Sequence, residues 1–160
     1  MRFRDQGFTI LEIMVVLLVL ALVVAITYPS LSRGSSTLHL RTCGRDVLNI
    51  FRYAREKAVT EQTGMIVTVD RDRQALTLSD NLGRSIGRAY SMPSDVRIHR
   101  MALGGTEVSE GSLAVRYLPN GSADQAEVLL LSETGAQLRI VSDPMTGGGR
   151  IESEQGGSLR

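Results

Sequence analysis

The clearest pattern in the chain is an uninterrupted apolar run near its N-terminal end. Every residue from Ile13 to Ile26 is apolar, and the run follows a short polar stretch that contains Arg2 and Arg4. The 19 residues from Phe8 to Ile26 approach the roughly 20 that a helix needs to cross a bilayer. Because basic flanks stay on the cytoplasmic side, the pattern predicts a membrane-spanning helix with the rest of the chain on the outside.

A second helical pattern follows the apolar run. Apolar or small residues recur at alternating spacings of three and four, which form one face of an amphipathic helix; they are Leu40, Cys43, Val47, Phe51, Ala54 and Ala58. A helix from Phe8 to about Gln62 would be about 80 Å long, with Gly64 as its C′ residue. Pro29 removes one helical hydrogen bond and is expected to kink or unwind the helix, forming a joint. The alternative is a loop between two separate helices.

Beyond Gly64 the apolar residues alternate with polar ones, as in strands. Two hairpins are predicted, Met65–Asp70 with Ala75–Ser79 and Glu127–Ser132 with Gln137–Val141. Further strands are expected at Ser85–Tyr90, Val96–Arg100 and Leu113–Leu118. Residues 104–112 are rich in Gly, Ser and Glu and are expected to form a loop.

These patterns predict an α+β fold. A long bent N-terminal helix, transmembrane in its first half, is expected to pack on a small antiparallel β-sheet or sandwich domain. The expected segments are a leader at 1–7, a transmembrane helix at 8–28, an amphipathic extension at 29–63, a β-rich domain at 64–151 and a disordered polar tail at 152–160.

Charge is unevenly distributed along the chain. Residues 1–60 hold eight Lys and Arg against four Asp and Glu, whereas residues 61–160 hold ten against thirteen. An acidic distal half is a poor footprint for nucleic acid, and the basic stretch from Arg33 to Lys57 is interpreted as a solvated helix face. A single cysteine, Cys43, excludes an internal disulfide, and its place on the helical stripe predicts a buried thiol.

The residue types that form catalytic and metal sites do not occur at the spacings that such sites require. His39 and His99 lie far apart and have no ligand partners at metal-binding spacing, and His99 is interpreted as a surface side chain. Asp70 and Asp72 suggest calcium, but the flanking arginines oppose a cation and the full loop pattern is absent. No nucleophile elbow, phosphate loop or dinucleotide fingerprint is present. We therefore expect no enzyme, no metal and no cofactor.

The segment Gly7-Phe8-Thr9-Ile10-Leu11-Glu12 places one carboxylate at the front of the apolar run. A charge within a bilayer costs roughly 2.5–3.5 kcal/mol, so such a residue usually has a partner and a function. The segment resembles the processing site of type IV pilins and type II secretion pseudopilins. This resemblance implies cleavage between Gly7 and Phe8 by a prepilin peptidase, followed by methylation of Phe8. The alternative is an ordinary secretory signal ending near Ala25, which would not place Glu12 at the front of its apolar run.

The retained carboxylate of Glu12 has a defined role in the same resemblance. Cleavage creates an α-amino cation at Phe8, and the amine of a neighbouring subunit in a staggered bundle would neutralise Glu12 during assembly. The alternative is a Glu12 side chain that extends to the membrane interface.

Two distal segments narrow the resemblance to the GspH/FimT group of minor pilins. One is Val115–Ala123, which contains Tyr117-Leu118-Pro119-Asn120-Gly121-Ser122; the other is Leu138–Val141 followed by Thr146-Gly147. Two extra glycines precede Arg150, which departs from the Thr-Gly-Arg turn of that group.

The resemblance implies a minor pseudopilin of a type II secretion system. Such a subunit is anchored in the bacterial inner membrane with its C-terminal domain in the periplasm, and co-assembles into a pseudopilus that exports folded proteins. The implied partners are major and minor pseudopilins, a prepilin peptidase and an inner-membrane assembly platform. The alternatives are a FimT/FimU-type minor pilin, which primes a type IV pilus or takes up DNA, and a membrane-tethered periplasmic hydrolase, for which no catalytic group is visible.

Overall fold

The structure is a computed structural model that describes residues 10–108 and 110–152, without the side chains of residues 25–35. One helix, α1 (Ile10–Thr60), precedes nine strands. The strands are β1 (Met65–Asp70), β2 (Ala75–Asp80), β3 (Tyr90–Ser91), β4 (Val96–Leu103), β5 (Thr106–Val108), β6 (Ser112–Tyr117), β7 (Ala126–Ser132), β8 (Gln137–Ser142) and β9 (Gly149–Glu152). The predicted α+β class is confirmed. The leader at 1–7, Phe8 and the tail from residue 153 lie outside the described residues.

Helix α1 continues through Pro29 and through Gly34–Ser36 without a break. The alternative of two helices separated by a loop is therefore wrong. A proline inside a helix forgoes one hydrogen bond but does not have to end the helix. The chain divides into two compact units after Ser35, and a mechanical joint at Pro29 stays a prediction.

The helix ends earlier than expected, and Gly64 is not its C′ residue. Gln62 adopts the left-handed conformation, with φ of 50°. The Thr63 N–H donates to the Ala58 carbonyl at 3.2 Å, a six-to-one bond that closes a Schellman-type end. The Gln62 side-chain amide donates to the Val59 carbonyl at 2.7 Å, which helps a non-glycine residue to occupy this position.

The strands form two antiparallel sheets. Their orders are β3-β2-β1-β6 and β5-β4-β7-β8-β9. The predicted β1–β2 and β7–β8 hairpins are confirmed, with Met65 opposite Asp80 and Leu130 opposite Leu138.

Three strand predictions need correction. Ser85–Tyr90 is not a strand, because the Asp80 carboxylate accepts the N–H groups of Leu82 and Arg84 and holds this segment in a turn; only Tyr90 enters a strand. The expected loop at 104–112 contains β5, which Gly104 and Gly105 make possible by turning the chain at φ of 57° and 83°. The unpredicted strand β9 includes Glu152, which was assigned to the tail.

The core lies between the C-terminal half of α1 and the sheets. All six residues of the predicted stripe are buried, and Leu48 joins them. Two glycines allow close approach because a Cβ would overlap a neighbouring side chain: Gly44 lies against Leu138 of β8, and Gly149 of β9 lies against Leu48.

Tyr117 lies in this core and places a polar hydroxyl group in a buried environment. Its side chain is fully buried, and its ring centroid lies 6.2 Å from that of Phe51. Among the residues that the structure describes, its hydroxyl has no hydrogen-bond partner. Burial raises the pKa of this hydroxyl well above its usual value.

We expect Tyr117→Phe to leave the free energy of unfolding unchanged or to raise it by about 1–2 kcal/mol, because the variant removes an unsatisfied buried polar group. Denaturant unfolding of both proteins measures this difference. A clear loss of stability would show that the hydroxyl has a partner in solution.

Candidate functional site: an assembly surface on the N-terminal helix

The N-terminal part of α1 presents a continuous apolar surface. From Ile10 to Val24 every large apolar side chain is at least half exposed, and Ile10 is 84% exposed. Exposed apolar areas of this extent mark contacts with protein partners or lipid. Among the described residues, no helix meets the length and apolarity of a membrane-crossing segment.

Of the four sequence-predicted site residues, the structure describes the side chain of Glu12 alone. Glu12 lies near the start of the described part of α1, and its side chain is exposed. Gly7 and Phe8 lie outside the described residues. Pro29 lies within the helix, but its side chain is not described. The structure therefore places Glu12 on the exposed apolar surface and leaves the roles of all four residues as predictions.

The predicted burial of Cys43 is confirmed. The thiol is free and 3% exposed. Burial raises its pKa, despite a hydrogen bond with Tyr90 that lowers it. The Tyr90 hydroxyl in turn donates to Asp46 Oδ2 at 3.1 Å. This cluster joins α1 to β3 and keeps the thiol in its unreactive protonated form.

A second polar contact ties the helix to the strands. His39 Nδ1 lies 2.7 Å from Asp95 Oδ2, and Asp95 immediately precedes β4. The imidazole is well exposed, so the contact helps to orient the helix and is not a buried ligand site.

The Asp70 carboxylate serves a turn rather than a metal. Its Oδ1 accepts the backbone N–H groups of Asp72 and Arg73 at 3.0 and 2.9 Å, and Arg73 lies 3.7 Å from its Oδ2. No group of His, Cys, Asp or Glu suited to a metal occurs among the residues that the structure describes.

His99 is partly exposed and lies at a β-bulge. The register of β4 with β7 shifts between Ile98 and Arg100, and a bulge redirects the extra side chain. The Gln74 side chain binds both backbone groups of Ile98, accepting from its N–H at 2.6 Å and donating to its carbonyl at 3.3 Å. Gln74 thus occupies part of the β4 edge.

The two distal segments that carried the resemblance meet in space. The Ala123 N–H donates to the Pro144 carbonyl at 3.2 Å, and Arg55 Nε donates to the Gly121 carbonyl at 3.2 Å. A Cβ at Gly147 would overlap that same carbonyl oxygen. Sequence reasoning missed this role of Arg55 because it depends on loops 66 residues away or more.

Comparisons with known proteins concern the N-terminal segment and the fold. Residues 2–28 match the family described as the prokaryotic N-terminal methylation motif. The fold is similar to that of the minor pseudopilin EpsH from the type 2 secretion system of Vibrio cholerae, with a TM-score of 0.59 and 11% identity over 74% of this chain and 99% of the EpsH chain. The expected fold is confirmed by the similarity to EpsH, and the family match falls on the segment that carries the predicted processing site.

A second EpsH crystal structure gives the same result for the pseudopilin fold. It aligns with a TM-score of 0.60 and 13% identity, over 75% of this chain and 97% of the EpsH chain. No curated protein sequence matches the chain. Motif and fold are therefore complementary, since the motif covers the segment that contains Glu12 and the fold similarity extends over three quarters of the chain.

Proposed function

We propose that this chain is a minor pseudopilin of a type II secretion system, which co-assembles with other pseudopilins into the periplasmic pseudopilus that drives export of folded proteins. The observation that carries the proposal is the N-terminal methylation motif at residues 2–28 in a chain whose fold resembles EpsH. The exposed apolar surface of α1 supports it, because such a surface needs lipid before assembly and neighbouring helices afterwards.

The proposed processing gives Glu12 its partner. A prepilin peptidase cuts after Gly7, and the new amino group of Phe8 is methylated and remains cationic. In the filament this cation of one subunit neutralises the Glu12 carboxylate of its neighbour. A buried charge is tolerated only when it is paired, so the pair selects the correct stagger between adjacent helices.

The proposed location follows from the same segment. The apolar residues after Glu12 anchor the chain in the inner membrane, Arg2 and Arg4 remain cytoplasmic, and the β domain lies in the periplasm. The proposed partners are the prepilin peptidase, the other major and minor pseudopilins and the inner-membrane assembly platform. The role is structural and requires no catalysis.

The processing step is tested by intact-mass analysis of the protein extracted from membranes. We expect the mature chain to lack Met1–Gly7 and to carry one added methyl group on Phe8. A mature chain that begins at Ile26 would instead identify an ordinary secretory signal and would overturn the proposal. The same measurement on Gly7→Trp is the control, since a bulky residue before the cut should leave the leader attached.

A further inference from the structure

The outer edge of the five-stranded sheet is formed by β9. This strand is last in the order β5-β4-β7-β8-β9, so among the described residues no strand pairs with its outer side. Open sheet edges attract other extended chains, and proteins usually block them. The β4 edge is blocked in this way by Gln74, whereas the start of β9 lies close to α1, with Gly149 against Leu48.

The pairing of β9 with β8 shows which of its backbone groups point outward. The Asp143 N–H donates to the Gly148 carbonyl at 2.7 Å, which makes the next pair, Ser142 with Gly149, a non-hydrogen-bonded one. Hydrogen-bonded and non-hydrogen-bonded pairs alternate along an antiparallel ladder. The N–H and C=O groups of Gly149 and Ile151 therefore face the open edge, while those of Arg150 and Glu152 face β8.

A groove of about 540 Å³ lies along the start of this edge. One wall is formed by residues of α1, namely Arg52, Arg55, Glu56, Val59 and Thr60, and the other by Gly148 and Gly149. Arg52, Glu56 and Val59 are exposed. The groove thus has a helix on one side and a strand edge on the other, an arrangement that accepts an extended peptide.

The charge of the helix wall indicates the charge of the ligand that the groove would bind. The lining contains two cations, Arg52 and Arg55, and a single carboxylate, that of Glu56. Within the described residues Arg52 forms no ion pair, and Arg55 Nε donates to the neutral Gly121 carbonyl. Residues 36–60 as a whole hold five Lys and Arg against two Asp and Glu. The groove is therefore complementary to an acidic segment.

We propose that the β9 edge and the adjacent face of α1 bind an extended acidic segment of a partner protein, which adds to the sheet as a sixth strand. The ligand backbone pairs with the outward groups of Gly149 and Ile151. Because successive side chains of a strand point to opposite faces, every second side chain of the ligand faces α1, where a carboxylate meets Arg52. This site is distinct from the Glu12 surface and does not depend on the proposed function.

The test uses the full chain in a non-ionic detergent. The probe is a fluorescent seven-residue peptide of alternating valine and glutamate, and a valine–lysine peptide of equal length is its counterpart. We expect the acidic peptide alone to bind, with an affinity that falls as salt is raised. Arg52→Glu should weaken binding by about tenfold or more. Arg41→Glu, an equal charge change about 16 Å away along the helix, should leave binding unchanged.

Hydrogen exchange separates strand addition from simple charge attraction. On binding of the acidic peptide we expect slower exchange of the Gly149 and Ile151 amides. Ile151→Pro removes an outward N–H without breaking the β8 ladder and should abolish binding, whereas Ile151→Val should retain it. The proposal is overturned if both peptides bind equally, if Arg52→Glu has no effect, or if the two amides exchange at the same rate with and without peptide.

Discussion

Glu12→Val should strongly reduce incorporation of the subunit into the proposed filament while leaving its cleavage intact. Under the proposed function, the variant removes the acceptor for a neighbouring subunit's Phe8 amine and leaves a buried cation without a partner, at a cost of about 3–5 kcal/mol. The proposed cleavage site, at Gly7, is unchanged in this variant, so processing should continue. Valine is more hydrophobic than glutamate, so membrane anchoring should also survive. Crosslinking of the mature subunit to partner pseudopilins is expected to fall by about tenfold or more.

Two control variants separate charge from shape at this position. Glu12→Asp keeps the carboxylate and should retain most crosslinking, whereas Glu12→Gln keeps the size without the charge and should behave as Glu12→Val. Leu11→Val, which changes only the neighbouring apolar surface, should crosslink normally. If Glu12→Val is cleaved, crosslinks as the unmodified protein does and supports full secretion, the carboxylate has no role in assembly.

Gly147→Ala should destabilise the β domain by about 3 kcal/mol or more. Gly147 has φ of 60°, a conformation that costs an L-residue roughly 1–2 kcal/mol. Its new Cβ would also overlap the Gly121 carbonyl oxygen and lie 3.0 Å from Arg55 Cδ. Because Gly121 contributes backbone and Arg55 is held by its hydrogen bond, the clash cannot be relieved by one side-chain rotation. The expected decrease in Tm is about 10 °C or more.

Gly135→Ala is the matched control for this variant. Gly135 also has a positive φ, 83°, but a Cβ there would meet no atom within 4 Å. It should therefore show the backbone cost alone, roughly 1–2 kcal/mol. Equal losses of stability in the two variants would mean that the loops of Gly121 and Gly147 separate readily, contrary to the packing described.

Local patterns in the sequence were sufficient to predict the helix and the strands that bury one regular face. The spacing of Leu40, Val47 and Phe51 predicts the buried face of α1 because a helix that packs along its length must repeat its apolar residues. The β1–β2 and β7–β8 hairpins were predictable for the same reason, since their strands alternate around short turns.

The elements that depend on distant contacts were not predictable. Strand β9 is four residues long and includes a single large apolar side chain, that of Ile151, so its pattern carries little information. Its position depends on Gly149 fitting beneath Leu48, which is about 100 residues earlier in the chain. The helix end was misplaced because Gln62 uses its own side chain to stabilise a conformation that usually favours glycine.

The two candidate sites differ in the same way, because one is contiguous in sequence and the other is formed by residues far apart in the chain. The Gly7–Glu12 motif is contiguous and is recognised without a structure, because all of its residues lie in one short segment. The groove of Arg52 and Gly149 joins a helix to a strand at the far end of the chain, and no sequence spacing indicates it.

The buried position of Cys43 means that its reaction with thiol reagents can report opening of the core. The thiol faces the interior from α1 and is 3% exposed, so an alkylating reagent reaches it only when the helix separates from β3 and the neighbouring strands. The rate of alkylation therefore measures how often these openings occur, without an added probe. New cysteines placed on the surface would react far faster, so pairs of them can map filament neighbours while the native thiol stays in place.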